Sequence, residues 1–364
     1  MSFHSLRVQE VLQDAEDAVR LRLVLPPEVR EAFQFHPGQH ITLRVTLGER
    51  TLRRTYSLVS APGGEHLEIA VRTQPAGRVS GWLAKEVRAG ATLTVLPPAG
   101  SFRAPALPAG PTQVLALAAG SGVTPIYAMV RELLERSPEV RCTVVIGNQS
   151  LARAMLRQDW LALKDRYLPR LALYFVMSRE HQDIDWLNGR LDRAWLERMS
   201  GTLFDPRRLD AVLLCGPGSF ITELSQGLQG LGLAPAQIHF ERFNLERAAR
   251  AAATDSGAVT SQPSTETGSQ PGTEVTVVMD GRRRSFTMAQ DGTSLLEAAE
   301  KAGLTLPYSC RDGICSTCRV KVLEGEVALG EQYALEPWEL AAGFTLACQA
   351  RPRSARLTLS YDER

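Results

Sequence analysis

Cys310, Cys315 and Cys318 fall within nine positions of the segment LPYSCRDGICSTCRVKV, and Cys348 follows in FTLACQA after a gap of 29 residues. The chain has only six cysteines in 364 residues, so this concentration needs a chemical reason. Cys-x4-Cys-x2-Cys followed by one distant cysteine is the plant-type pattern for a 2Fe–2S cluster. Two irons bridged by two sulfides take four thiolates, two per iron. A compact loop wraps such a cluster and one distant strand closes it. Ser309, Gly313, Ser316 and Thr317 are small, which lets backbone N–H groups between the ligands turn toward sulfur and tune the potential. Structural zinc is the competing chemistry. It usually takes two Cys-x-x-Cys-like pairs, and here Cys315/Cys318 is one such pair while Cys348 stands alone. That favours a cluster held by Cys310, Cys315, Cys318 and Cys348. Cys142 lies in an apolar run and reads as an inert core residue.

A cluster of this kind moves one electron at a time, so the rest of the chain is searched for a source. RRTYS at 53–57 lies in a predicted barrel strand, and AGRVSGWL follows about 20 residues later, with Gly77 and Ser80 opening a helix. A helix N-terminus with a glycine and a hydroxyl suits a phosphate. Together the two segments suit a flavin: Tyr56 against the ring, Ser57 at its edge, Arg54 on phosphate, and Gly77 to Ser80 on the pyrophosphate. AAGSGVTP at 118–125 is a Gly-rich turn between a buried strand and a helix start, where a dinucleotide pyrophosphate belongs. It departs from Gly-x-Gly-x-x-Gly, because Pro125 stands at the third glycine. Thr124 is expected to cap the helix, with Pro125 as its first residue. CGPG at 215–218 ends a later strand, where the small Cys215 lets a nicotinamide approach.

These residues need three kinds of scaffold. Residues 1–107 hold short alternating runs such as HITLRVTL and HLEIAVRT, the pattern of an antiparallel barrel, with one helix predicted over 78–88. Residues 108–244 alternate apolar strands with amphipathic helices, as a parallel α/β sheet does. Residues 245–272 are polar, small and Pro/Gly-bearing, a flexible linker. Residues 273–364 open on a hairpin predicted at Asp280-Gly281, followed by a short helix closed by Gly303 and then the cysteine loop. Arg282, Arg283 and Arg284 after the turn read as a solvated face. Net charge is +1, which gives no field that favours nucleic acid or anionic lipid. The N-terminus lacks an apolar h-region and no stretch is long enough to span a bilayer. The expectation is a cytoplasmic chain with reduced thiols.

In this order, RRTYS, AGRVS, AAGSGVTP, CGPG, HFERF and the cysteine loop resemble the ferredoxin–NADP reductase superfamily, and within it the members with a C-terminal plant-type ferredoxin domain. The resemblance implies a multidomain protein: a Greek-key flavin-binding β-barrel, an α/β nicotinamide-binding domain and an α+β β-grasp ferredoxin domain. Carried over by position, Arg54, Tyr56, Ser57, Gly77 and Ser80 are flavin contacts. Gly120, Gly122, Thr124, Cys215, Gly216 and Pro217 are nicotinamide-dinucleotide contacts, and Phe243 covers the flavin face. Related sequences often carry an arginine after GN for the NADP 2′-phosphate. Here that position is Gln149, and Arg179 in MSRE is the cation that can replace it. The implied activity is an NAD(P)H oxidoreductase using a flavin, with FAD favoured over FMN, and a 2Fe–2S cluster, with NADPH favoured over NADH. Its protein partner is the oxygenase component, a diiron protein, of a multicomponent monooxygenase. No side chain is needed as acid or base, because the cofactors carry the chemistry. The alternatives are the reductase of a steroid or aromatic-ring oxygenase and a non-catalytic redox sensor.

Overall fold

The computed structural model describes residues 2–75, 77–243, 272–311, 313, 315–330, 332, 334, 335 and 337–363. The alternating N-terminal runs become β1 (His4–Ala15), β2 (Ala18–Val24), β3 (His40–Leu47), β4 (Arg50–Ser57), β5 (His66–Arg72) and β6 (Thr92–Ala99). They pair antiparallel in the order β4-β3-β6-β1-β2-β5. Leu58, just past β4, bridges Ile69 of β5, so the two edge strands meet and the sheet closes on itself. Alternate residues such as Leu6, Leu21, Leu43 and Ile69 fill the closed interior. The predicted 78–88 helix is α1 (Arg78–Lys85). It stops short, and Val87 then packs into the barrel core.

The second region folds as β7 (Thr112–Ala119), α2 (Val123–Arg136), β8 (Val140–Asn148), α3 (Arg157–Arg166), β9 (Leu171–Met177), α4 (Arg193–Met199), β10 (Ala211–Pro217), α5 (Gly218–Gly230) and β11 (Ile238–Phe243). The strands are parallel, in the order β11-β10-β7-β8-β9. Helices cover both faces, which explains why QVLALAAG is apolar throughout. Val114, Ala116 and Ala118 face the core under α2 and α3, while Leu115 and Leu117 face the core under α4 and α5. Cys142 lies in β8, where burial pushes its thiol up to about 12, as expected of an inert core residue.

The expected cap at Thr124 does not form. A 3₁₀ turn at Gly120–Gly122 runs directly into α2, and Gly122 takes the cap position. Thr124 lies in the first helical turn and donates its hydroxyl to the Ser121 carbonyl at 3.0 Å. The glycines let the chain start turning before the threonine is reached. Pro125 becomes the third helical residue, where its missing N–H is one that no helix partner would have met.

In the third region β12 (Thr273–Met279) and β13 (Arg282–Met288) form the expected hairpin. Asp280 at φ 55° and Gly281 at φ 70° make the left-handed pair that matches strand twist. α6 (Leu295–Lys301) is capped by Ser294, whose Oγ accepts from the Glu297 N–H at 3.3 Å, and closed by Gly303 at φ 78°. β14 (Arg319–Glu324), β15 (Val327–Leu329), α7 (Pro337–Ala341), β16 (Phe344–Leu346), β17 (Ala350–Pro352) and β18 (Arg356–Ser360) follow. The mixed sheet β13-β12-β18-β14-β16 packs on α6 in a β-grasp arrangement. Arg282, Arg283 and Arg284 are exposed. The expected linker lies, apart from residue 272, outside the described residues. Among the described residues no helix is long and apolar enough to cross a membrane.

Candidate functional site

The parallel sheet reverses its strand order between β7 and β10, and ligands of such sheets bind at that point, beyond the carboxyl ends of the strands. Here the two strand ends touch backbone to backbone. A Cβ on Gly122 would lie 2.2 Å from the Cys215 carbonyl oxygen, so only glycine fits. Gly120 turns through φ 59° to make the approach. Cys215 pairs with Ala118 at the end of the strands, and Pro217 precedes the first residue of α5. Gly120, Gly122 and Thr124, which form the N-terminus of α2 and the turn before it, are therefore gathered with Cys215, Gly216 and Pro217 at the carboxyl end of the sheet. That is the place where fixed N–H groups and the helix dipole suit a pyrophosphate.

Cys215 itself is fully buried. Burial and the Glu241 carboxylate push its thiol well above the ordinary range. Glu241 stands opposite Cys215 on β11, and His40 of the barrel holds Nδ1 3.7 Å from Glu241 Oε1. His40 in turn pairs with Ser57 across β3 and β4. Sequence reasoning missed His40 and Glu241, each an unremarkable residue in a strand run. HFERF carried Glu241 in plain view, but its partner comes from a strand some 200 residues earlier. Phe243 ends β11 opposite Pro217, and its side chain lies outside the described part. At the far end of the sheet the Arg179 N–H donates to the Gln149 carbonyl at 2.9 Å, and the Arg179 side chain is exposed. Arg153, close by, is held by Asp17 at 3.0 Å.

On the barrel, Tyr56 packs partly buried against the core, and burial raises its phenol. Arg54 is exposed and donates to the Arg53 carbonyl at 2.7 Å. Gly77 precedes α1, where a Cβ would meet Ser80 Oγ at 2.4 Å. Ser80 Oγ accepts from the Gln74 N–H at 3.1 Å and donates to the Gly77 carbonyl at 3.3 Å. Its hydroxyl is thus committed inside the turn, and what the turn offers an anion is the N-terminal N–H set of α1.

The three loop cysteines and Cys348 stand in two contacting pairs, Cys310 with Cys315 and Cys318 with Cys348. Contact with Cys310 and burial raise Cys315. Contact with Cys348 and burial raise Cys318, while the Cys318 hydrogen bond holds Cys348 below the ordinary thiol value. The Cys310 N–H points at Cys315 Sγ at 3.4 Å, and the Gly313 N–H points at Cys348. Arg311 at φ 63°, Gly313 at φ 72° and Ser316 at φ 46° are all left-handed. Left-handed backbone at non-glycine residues such as Arg311 and Ser316 clusters at ligand clamps, where the surrounding structure over-determines it. Among the described residues no three His, Cys, Asp or Glu side chains are grouped so as to hold a metal ion. Two thiol pairs, each served by a backbone N–H, fit a two-iron unit with two thiolates per iron.

Three known domain families match the chain. They are the oxidoreductase FAD-binding domain over residues 5–104, the oxidoreductase NAD-binding domain over 116–226 and the 2Fe-2S iron-sulfur cluster binding domain over 277–353. The chain is 37% identical to a 1,2-phenylacetyl-CoA epoxidase subunit of Escherichia coli (strain K12), over 99% of this chain and 98% of that one. It is 28% identical to the ferredoxin reductase component of 3-ketosteroid-9-alpha-monooxygenase from Rhodococcus rhodochrous, over 98% and 96%. Phthalate dioxygenase reductase has the same fold, with a TM-score of 0.54, 21% identity and 98% coverage of both chains. The chain belongs to the ferredoxin–NADP reductase-type reductases that carry a C-terminal 2Fe–2S domain. It is an NAD(P)H oxidoreductase whose cofactors are FAD and a 2Fe–2S cluster.

Proposed function

We propose that this chain is the reductase component that carries electrons from NADPH to the diiron oxygenase of a phenylacetyl-CoA epoxidase, in phenylacetate breakdown in the cytoplasm. The observation that carries the reading is the approach of the cysteine loop to the barrel. Arg53 donates to the carbonyls of Tyr308 at 3.2 Å and Leu306 at 3.4 Å, just before Cys310, from the strand that bears Arg54, Tyr56 and Ser57. The full-length likeness to the Escherichia coli epoxidase protein supports that acceptor. When bound, FAD supplies conversion of an electron pair into single electrons, and the cluster supplies their one-electron carriage.

The chain's residues bind and orient. Arg54, Tyr56, Ser57 and the Gly77–Ser80 turn hold the flavin, and the crevice from Gly120 to Thr124 with Cys215, Gly216 and Pro217 holds the dinucleotide. Phe243 shields the flavin face, Arg179 meets the 2′-phosphate, and Cys310, Cys315, Cys318 and Cys348 hold the cluster. The units divide at 1–107, 108–244, 245–272 and 273–364. The last holds 11 Lys/Arg and 13 Asp/Glu, a net charge of −2. Docking on the oxygenase then rests on shape and apolar contact, with a weak response to salt. The likeness to the 3-ketosteroid-9-alpha-monooxygenase component favours a second reading, with another oxygenase as acceptor.

Reconstitution separates the two readings. Mixed with NADPH, the purified epoxidase oxygenase and phenylacetyl-CoA, this chain is expected to support epoxide formation. Turnover with a steroid or aromatic-ring oxygenase, and none with the epoxidase, would transfer the assignment.

A further inference from the structure

RRTYS contains one arginine that the flavin reading leaves unused. Side chains alternate along β4, so Arg53 and Arg54 point to opposite faces. Arg54 is exposed, whereas Arg53 is only 8% exposed. A buried charge persists where something compensates it, and Arg53 forms no ion pair among the described residues. Two rings and two carbonyls take that role. The guanidinium carbon lies 3.9 Å from the Tyr308 ring centroid and 5.0 Å from that of Phe3, within cation–π range. Arg44 sits 4.1 Å from the Phe3 ring and Arg311 4.3 Å from the Tyr308 ring. Three guanidinium groups and two rings therefore form one unbroken line of contacts, from the barrel strands to the residue that follows Cys310. Arg311 is anchored at the end of that line by Glu300 at 2.6 Å. A second contact, Ser101 Oγ donating to the Ala334 carbonyl at 2.7 Å, ties the barrel to the same domain.

We propose that Arg53 is a positioning residue, which clamps the Leu306–Arg311 lead of the cysteine loop onto β4 and so holds the cluster ligands against the flavin-bearing strand. The inference rests on the reductase reading of the chain. It concerns passage inside the molecule, whatever the final acceptor. Each passage across the contact moves one electron and makes or breaks no bond. NADPH supplies the pair and the acceptor removes both electrons in turn. A guanidinium suits this duty because it stays charged and is comfortable in water when the contact opens. A purely apolar seam would not release as readily.

The test uses the loaded full-length protein carrying Arg53→Ala. Amide exchange over 304–311 is expected to rise at least tenfold while the visible absorbance of flavin and cluster stays as in the parent. NADPH-driven reduction of cytochrome c, which draws on the cluster, is expected to fall about tenfold, equivalent to about 1.4 kcal/mol. Reduction of ferricyanide, which draws on the flavin directly, stays unchanged. Tyr308→Phe keeps the ring and the carbonyl and is expected to behave as the parent, whereas Tyr308→Ala matches Arg53→Ala. Parental exchange over 304–311 in Arg53→Ala, or an unchanged ratio of cytochrome c to ferricyanide reduction, would overturn the clamp. Loss of cluster absorbance in Arg53→Ala would also overturn it, by showing that Arg53 serves loop folding. None of these readouts depends on the epoxidase, so failure of the acceptor assignment stays separate.

Discussion

The barrel meets its two neighbours in different ways. Against the parallel sheet it shares a hydrophobic core: Val59, Ala70 and Phe102 of the first region pack with Val114, Ile126 and Tyr127 of the second. Polar contacts ring that core: Arg20 pairs with Asp159, Arg153 with Asp17 at 3.0 Å, and Arg72 donates to the Arg153 carbonyl at 2.6 Å. Against the cysteine domain, the described residues share no hydrophobic cluster. The contact is the line of arginines and rings through Arg53, with the Ser101 hydrogen bond beside it. Buried apolar area is costly to re-expose, whereas cations and polar atoms return to water at little cost. The difference teaches which step needs fixed geometry and which needs release. Hydride transfer from nicotinamide asks for one rigid body. The cysteine domain must serve two partners, the flavin and an outside protein.

Breaking the first interface gives the largest effect. Phe102 is 7% exposed in the shared core, and Phe102→Ala is expected to cost about 3–5 kcal/mol. Calorimetry should show barrel and parallel sheet melting earlier in one joint transition, with the cysteine domain's transition unmoved. If the two melted separately, the shared core would not be joining them. Next comes Cys315→Ala, which leaves Cys310 without its pair. Iron content should collapse and cytochrome c reduction should fall by more than about 100-fold, while flavin reduction by NADPH keeps its rate. A parallel loss of flavin reduction would deny that the front half works alone.

Arg179→Ala sharpens the comparison at the rigid end. KM for NADPH is expected to rise about tenfold with KM for NADH unchanged, and equal shifts for both would remove Arg179 from the 2′-phosphate. The smallest effect concerns His239 on β11, whose burial lowers its imidazole pKa. The unfolded chain then binds the proton more readily. This histidine's contribution is fully present above its unfolded value of about 6.5 and is lost as pH falls below it. His239→Gln should flatten the acid side of the stability curve just below about pH 6.5 in urea melts. A curve of unchanged slope would assign the acid loss to other groups.

What the sequence revealed follows the range of the forces involved. The 2Fe–2S domain, the Asp280-Gly281 turn and the helix closed by Gly303 were legible because the Cys310, Cys315 and Cys318 spacing, the turn and the cap are each set by residues a few positions apart. The glycines at 120 and 122 were legible as a turn, but the reason for Gly122, a strand end 93 residues away in sequence, appears only in the fold. Thr124 was misread as a cap because two glycines upstream let the helix begin early. Ser80 was read as a phosphate contact, and its hydroxyl is taken up by Gln74 and Gly77. Arg53, His40 and Glu241 carried no local signal. Their roles exist only once barrel, sheet and cysteine domain are docked.

The account stands most directly on one anaerobic titration of the purified protein with NADPH, followed by visible absorbance and checked by iron analysis. FAD takes two electrons and the cluster one, so both sets of bands should bleach, completing at about 1.5 equivalents of NADPH. Bleaching that ended at about one equivalent, in protein that holds no iron after anaerobic reconstitution, would contradict it.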